Sequence, residues 1–306
     1  MRYSTILDSA RAQLRKADRG VAVTAPDSPL MTVAAHLARA LHLPGLRGRL
    51  ARALPIEDKA PAPGTYPPAN PPRGPIGLLL GCVTRTQQPG ALLAAIRLLN
   101  ALDYEVVVPA AQECCGALAA HQGDLATAQR QIEANRSAFA GLDGMVSLAS
   151  GCSLHLAEHL PERSPEDIVT FLTRRLRTRP LPFDRPDGPI ALHIPCTLAN
   201  GLKAPNSLLE LLGNLSDTEL HTLGQTGGCC GAAGTHLLTQ REQAERLREP
   251  FLEQLKALKP RYLLTANIGC AMHLAEGAMS EGIGLEVLHP VELLARLLNE
   301  SRDLGK

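Results

Sequence analysis

Eight cysteines hold the chemical interest of this sequence: Cys82, Cys114, Cys115, Cys152, Cys196, Cys229, Cys230 and Cys270. They form two sets of one design: a single cysteine, an adjacent pair followed by glycine, then another single cysteine. The gaps are 31 and 36 residues in the first set and 32 and 39 in the second. Equivalent cysteines lie 114, 115, 115 and 118 residues apart, so the pattern is an internal duplication. No Ser-His-Asp arrangement or carboxylate pair at telling spacing accompanies them. Four thiols per set without an obvious base point to a soft metal or an iron–sulfur cluster. Structural zinc usually draws thiolates from short C-x2-4-C knuckles, a spacing that no two cysteines of one set have. Adjacent cysteines serve different irons of a multi-iron cluster more easily than two corners of one small tetrahedron. The glycines beside them (Gly116, Gly227, Gly228 and Gly231) let backbone amides approach sulfur closely, which tunes a cluster's potential.

The elements that must position these thiols are legible. From residue 76 onward, short aliphatic strands alternate with amphipathic helices. "PIGLLLGCV", "YEVVVPA" and "GMVSLAS" read as strands, and "GALLAAIRLLNAL" and "DLATAQRQIEANRSAFAGL" as helices. "PIALHIP", "TELHTLG" and "RYLLTAN" repeat the strands, with "NSLLELLGNL" and "TQREQAERLREPFLEQLKAL" as the helices between them. "LEVLHP" and "VELLARLLNE" add a last strand and helix. Such alternation predicts parallel sheets covered by helices. Every cysteine falls just past a predicted strand end, where parallel α/β sheets bind ligands. The fold class expected is therefore α/β, as two similar units with small parallel sheets related by a pseudo-two-fold, or else one continuous sheet. Residues 76–185 form the first unit and 186–306 the second. Residues 1–60 read as a helical N-terminal segment. Residues 61–75 hold seven prolines in fifteen residues and read as an extended linker.

Composition excludes several classes. The 306 residues are 45% apolar but only 3% aromatic, so the core is aliphatic. A formal net charge of +1 argues against a nucleic-acid partner. No apolar run reaches membrane-spanning length, and "MRYSTILDSARAQLRKADRG" has no apolar signal region. The chain reads as cytoplasmic, where cysteines favour metal or redox roles over disulfides. "GQTGGCCGAAG" lacks the G-K-[ST] ending of a phosphate loop, so no nucleotide is expected there. "TRRLRTR", residues 173–179, reads as a solvated helix face, or more sharply as a dock for an acidic partner.

The segments "ECCGALAAH", "LASGCSLH", "HIPCTLANGLK", "GGCCGAAGTHLLT" and "TANIGCAMHL" run in order across most of residues 75–299. This pattern resembles the duplicated cysteine-rich CCG domains of the heterodisulfide reductase B-type subunit, and more closely those of the iron–sulfur subunit of bacterial glycolate oxidase. The resemblance implies an electron-transfer subunit with two [4Fe–4S] clusters, one per cysteine set, and no flavin or nucleotide of its own. FAD-containing partner subunits would oxidise glycolate to glyoxylate, a quinone-type acceptor would take the electrons, and membrane contact would be peripheral, at the inner face, through partners. Two departures stand out. The fullest family pattern ends each repeat in C-x-x-C, whereas His155 and His273 take the last position here. Each is a candidate further ligand, a hydrogen-bond donor to the cluster, a proton carrier, or a simple helix cap. His193, His121 and His236 are candidates for hydrogen bonds to cluster sulfur, and His193 is also a candidate further ligand. Secondly, the glycolate oxidase subunit normally begins with a ferredoxin-like segment of C-x2-C-x2-C-x3-C-P runs. None occurs in this sequence, and "MRYSTILD" resembles the stretch just after the last of those runs, which implies a late start, a lost segment or a separate ferredoxin-like protein. The alternatives are a heterodisulfide-reductase-like thiol–disulfide redox enzyme and a metal-binding interaction module without catalysis.

Overall fold

The computed structural model describes residues 58–163 and 165–299, together with residues 11–12, 50 and 53–55. The helical reading of residues 1–60 falls almost wholly outside the described residues.

Two separate sheets form, one per repeat. The first holds β1 (Gly64–Tyr66), β2 (Pro75–Leu79), β3 (Glu105–Val108), β4 (Gly144–Ser147) and β5 (Pro165–Asp167), in the order β1-β3-β2-β4-β5. The second holds β6 (Ile190–His193), β7 (Leu220–Thr222), β8 (Tyr262–Thr265) and β9 (Glu286–Leu288), in the order β7-β6-β8-β9. Every pairing is parallel except that of β1 with β3. Without β1 the two orders coincide, so the cysteine duplication is a duplication of the whole unit. The central strands are buried on both faces: β6 and β8 have no residue outside the core. This is why they read as unbroken aliphatic runs.

Two segments differ from the sequence expectation. The proline-rich stretch 61–75 is extended, but it is paired rather than a free linker. Its proline-free centre, Gly64–Tyr66, forms the antiparallel edge strand β1. Prolines are tolerated around it because an edge strand needs ladder donors on one side only. Asn100 Nδ2 donates to Tyr66 O (3.0 Å), and Tyr66 Oη donates to Ala62 O (2.7 Å), which fastens the segment down. The second difference is β5, whose sequence Pro-Glu-Asp carries no strand pattern. It pairs with β4 and leads into the helix Ile168–Thr178, capped by Asp167 Oδ1 accepting from Val169 N at 3.0 Å.

One core spans both units. Leu78, Leu98 and Phe171 of the first pack in the same cluster as Leu192, Leu211, Leu264 and Leu294 of the second. The helix Pro290–Leu297 lies against Pro89–Ala101. Gln88 Nε2 donates to Glu292 Oε2 (2.8 Å) and Arg97 Nη1 to Ala295 O (2.9 Å). Thr173 Oγ1 donates to Ser207 O (2.9 Å) between the helices Ile168–Thr178 and Ser207–Leu212. The basic run 173–179 is tied to its own chain: Arg174 pairs with Glu166, Arg177 with Glu210 and Arg179 with Asp103.

Candidate metal centres

Each cysteine lies beyond the carboxyl end of a parallel strand. Cys82 follows β2, the pair Cys114-Cys115 follows β3, and Cys152 sits in the first turn of the helix Ser150–His159 after β4. Cys196 follows β6, Cys229-Cys230 follow β7, and Cys270 sits in the first turn of Ile268–Ser280 after β8. Topology therefore gathers thiols that are far apart in sequence. Cys114 Sγ lies 3.2 Å from Cys82 Sγ, Cys115 Sγ 3.1 Å from Cys152 Sγ, and Cys230 Sγ 3.0 Å from Cys270 Sγ. None of the eight is in a disulfide. Cys82, Cys114, Cys115, Cys230 and Cys270 are buried, Cys152 and Cys196 are half-buried, and Cys229 is exposed. The second set is the more open.

The turn after each cysteine pair depends on glycine. Gly116 has φ +92° and Gly231 has φ +91°, the left-handed region where side chains are disfavoured. Gly231 also lies against the backbone of Ala244, in the following helix. Its amide donates to Cys229 Sγ at 3.4 Å. The first turn is fixed from another side by Asn135. Its Nδ2 donates to Cys114 O (2.9 Å) and Glu113 O (3.3 Å), and its Oδ1 accepts from Glu113 N (3.1 Å). Gln112 ties the same loop to β2 through Leu80 N and Leu78 O. Neither Asn135 nor Gln112 stood out in the sequence, because an amide side chain gives no local sign of what it reaches.

The histidines behave differently from one another. Both ring nitrogens of His273 are taken within the protein. Nε2 lies 3.1 Å from Ala244 O, and Nδ1 lies 3.3 Å from Nη1 of Arg248, which itself donates to Glu276 Oε2 (2.5 Å). His155, its counterpart, is buried with Nε2 unpartnered, and that atom lies 3.2 Å from where a Cβ on Gly116 would stand. Burial pushes the His155 imidazole down to about 3. His193 is buried at the end of β6, its Nδ1 2.9 Å from Thr265 Oγ1 and its Nε2 without a hydrogen bond of good geometry. His236 is engaged with Gly231 O and Gln243 Oε1. Gly234 approaches the ring of His121, bringing a loop of the second unit onto the first.

Thiol acidity is split within the pairs. Hydrogen bonds from Cys115 and Cys82 hold Cys114 down to about 3, against the opposing effect of burial. Cys115, the donor, is raised. Cys196 similarly holds Cys229 down to about 6, and Cys270 holds Cys230 well below the ordinary thiol range. Each unit thus presents thiolate-ready sulfurs crowded against other sulfurs, a cost that a bound cation would relieve. Soft sulfur donors with an unpartnered imidazole nitrogen fit zinc or iron.

The segments that carry the two sets meet at the unit boundary. Ser150, two residues before Cys152, makes a 2.6 Å hydroxyl–hydroxyl hydrogen bond with Thr197, next to Cys196. Asn267 Nδ2 donates to both hydroxyl oxygens, at 3.3 and 3.5 Å, while its Oδ1 caps the helix carrying Cys270 through Gly269 N. Ser150 N donates to Ala266 O at 3.0 Å.

This architecture defines a class: a duplicated α/β protein with thiols gathered at the strand ends of each half. A family profile described as "Cysteine-rich domain" (CCG) matches residues 76–157 and 190–275. The chain belongs to the CCG cysteine-rich domain family and carries the domain twice. It is similar to the glycolate oxidase iron-sulfur subunit of Escherichia coli (strain K12), 31% identical over 241 residues, which covers 73% of this chain and 58% of that protein. It is also similar to the probable glycolate oxidase iron-sulfur subunit of Bacillus subtilis (strain 168), 26% identical over 78% of this chain and 58% of that protein. Lactate utilization protein A of Geobacillus thermodenitrificans is 26% identical over 72% of this chain and 98% of its own length. The chain spans little more than half the length of the two glycolate oxidase subunits. Picrophilus torridus aspartate racemase aligns with 76% of the chain and 97% of its own at TM-score 0.33 and 11% identity, too loosely to bear on fold or function.

Proposed function

We propose that the chain is the iron–sulfur electron-transfer subunit of a flavin-dependent glycolate oxidase or dehydrogenase, in a complex that converts glycolate to glyoxylate and delivers electrons to a quinone-type acceptor. The observation that carries this reading is the convergence of two four-thiol sets on opposite sides of one unit boundary. In it, Cys82, Cys114, Cys115 and Cys152 hold one [4Fe–4S] cluster, and Cys196, Cys229, Cys230 and Cys270 hold the other. Clusters so held supply one-electron storage, with potentials set by hydrogen bonds, charge and burial. The remaining work belongs to the chain's own residues. Asn135 and Gln112 fix the first cysteine-pair loop, Gly116 and Gly231 let the two turns form, and the amide of Gly231 donates to sulfur. The hydroxyls of Ser150 and Thr197 hold the two sites together.

Glycolate itself binds an FAD-containing partner subunit in this reading. The complex works in the cytoplasm and meets the membrane's inner face through partners. Among the described residues no helix is long and apolar enough to cross a membrane. The test is to introduce Cys115→Ser and Cys230→Ser into the assembled complex. Loss of iron and of glycolate-dependent dye reduction is expected; unchanged values would refute the proposal.

One observation favours a second reading, a thiol–disulfide redox enzyme. Cys229 is exposed and its thiol is held down to about 6 by the hydrogen bond from Cys196, so an external sulfur could reach a reactive thiolate. Oxidation of the reduced protein by a small disulfide, abolished in Cys229→Ser, would support it.

A further inference from the structure

The two sites are built alike but differ where the first strand of each unit ends. Leu79 ends β2 and pairs with Ser147; His193 ends β6 and pairs with Thr265. Where an aliphatic side chain stands beside the first thiol set, an imidazole stands beside the second. His193 is 1% exposed. Thr265 Oγ1 holds its Nδ1, and Phe251 closes on the ring edge to face, with centroids 5.2 Å apart. The ring is fixed on two sides, and its buried Nε2 makes no hydrogen bond of good geometry, although the imidazole helps to hold the Cys230 thiol down. A buried nitrogen so poorly satisfied, beside an acidified thiol, is placed as a metal ligand would be. A ring nitrogen of His193 and the Sγ atoms of Cys230 and Cys270 all lie within 4.8 Å of one another, and among the described residues no other three candidate ligands gather so closely.

We infer that, beside the four cysteines, His193 Nε2 is a further ligand of the second metal centre, which thereby carries a mixed nitrogen–sulfur donor set while the first is all-thiolate. The inference rests on the iron–sulfur reading above and goes beyond it, because it makes the two duplicated sites chemically unequal. With Nε2 on the metal, Nδ1 carries the proton and donates to Thr265 Oγ1, the arrangement by which ligating histidines are oriented. The β6–β8 register supplies that partner directly. In the first unit Ser147 Oγ instead bonds Ser153 Oγ at 2.7 Å. His273 has both nitrogens engaged by Ala244 and Arg248. His155 lies against Gly116 with Cys114 nearby, but it joins no group of three candidate ligands among the described residues. A neutral imidazole donor raises the potential of an iron–sulfur centre relative to thiolates alone. The second centre is therefore the higher of the two.

The experiment uses the full chain, labelled with 15N-histidine, purified anaerobically and reduced stepwise, with pulsed electron–nuclear double resonance as readout. The expected result is one strongly coupled histidine nitrogen, in the centre that is reduced first. His193→Ala removes that coupling and brings the two midpoint potentials together; Thr265→Val keeps the coupling and shifts the first step by less. Iron in both centres with no strongly coupled histidine nitrogen overturns this inference alone, as does a coupling that survives His193→Ala. A chain that takes up no iron overturns it together with the electron-transfer reading. Should His193→Ala not fold, the spectrum of the unsubstituted labelled chain decides.

Discussion

Replacing either glycine after the cysteine pairs by alanine tests how these loops are built, and the two replacements should differ. Both have φ near +90°, so alanine at either costs about 1–2 kcal/mol from backbone strain. At Gly116 the new Cβ meets Ala128 O at 3.1 Å and His155 Nε2 at 3.2 Å, contacts that small shifts relieve. At Gly231 it meets Ala244 O at 2.4 Å, Ala244 Cα at 2.9 Å and Ala244 C at 3.0 Å. Those atoms belong to the backbone of the helix Arg241–Leu258, which cannot yield without moving as a body. Overpacking of this kind adds about 1–3 kcal/mol. Gly231→Ala should therefore destabilise by about 2–5 kcal/mol and Gly116→Ala by about 1–2 kcal/mol. At roughly 2–4 °C per kcal/mol for a protein of this size, the melting temperatures of the two variants should lie several degrees apart. Thermal unfolding followed by circular dichroism, side by side, measures the difference. Equal shifts, or a harmless Gly231→Ala, would show that the helix does not confine the second loop.

Three other outcomes follow from the buried polar groups and thiols. Arg248→Met removes the guanidinium that balances the carboxylate of Glu276, 1% exposed, and should cost about 3–5 kcal/mol in urea unfolding, with much of it recovered in Arg248→Met/Glu276→Gln. Burial pushes Asp167 up from 3.8 to about 7, so the folded state binds its proton more tightly than the unfolded state does. The stability linked to this group is complete below about pH 4 and lost as pH rises through 7, a change of roughly 4 kcal/mol. Asp167→Asn, which keeps the cap on Val169, should match the parent protein at pH 4 and exceed it at pH 8. Cys115→Ser should remove the iron of the first site, about four atoms per chain, and leave that of the second; loss of all iron would mean that the sites do not load independently.

Much of the architecture was legible because the relevant signals are local or periodic. The strands ending at Leu79, His193 and Thr265 are short aliphatic runs, as buried parallel strands must be. The cysteines repeat at nearly constant offsets, so both the duplication and the strand-end placement could be read directly. What escaped depends on partners distant in sequence. Gly64–Tyr66 becomes a strand only because β3 offers a free edge, and Pro165–Asp167 only because β4 does. Asn135, Arg248 and His289 look like ordinary polar residues of helices or loops. Their roles arise from burial against Cys114 O, Glu276 and Leu148 O, up to 141 residues away. His193 was visible beside Cys196, but its difference from Leu79 acquires meaning only once the register sets both at equivalent strand ends.

The central claim is that the converging thiols hold iron. The most direct measurement is iron and acid-labile sulfide per chain in anaerobically purified protein, with the electron paramagnetic resonance spectrum of the reduced form. About eight irons with matching sulfide, and a signal from reduced four-iron clusters, are predicted. A folded protein holding zinc, or no metal at all, would contradict the account.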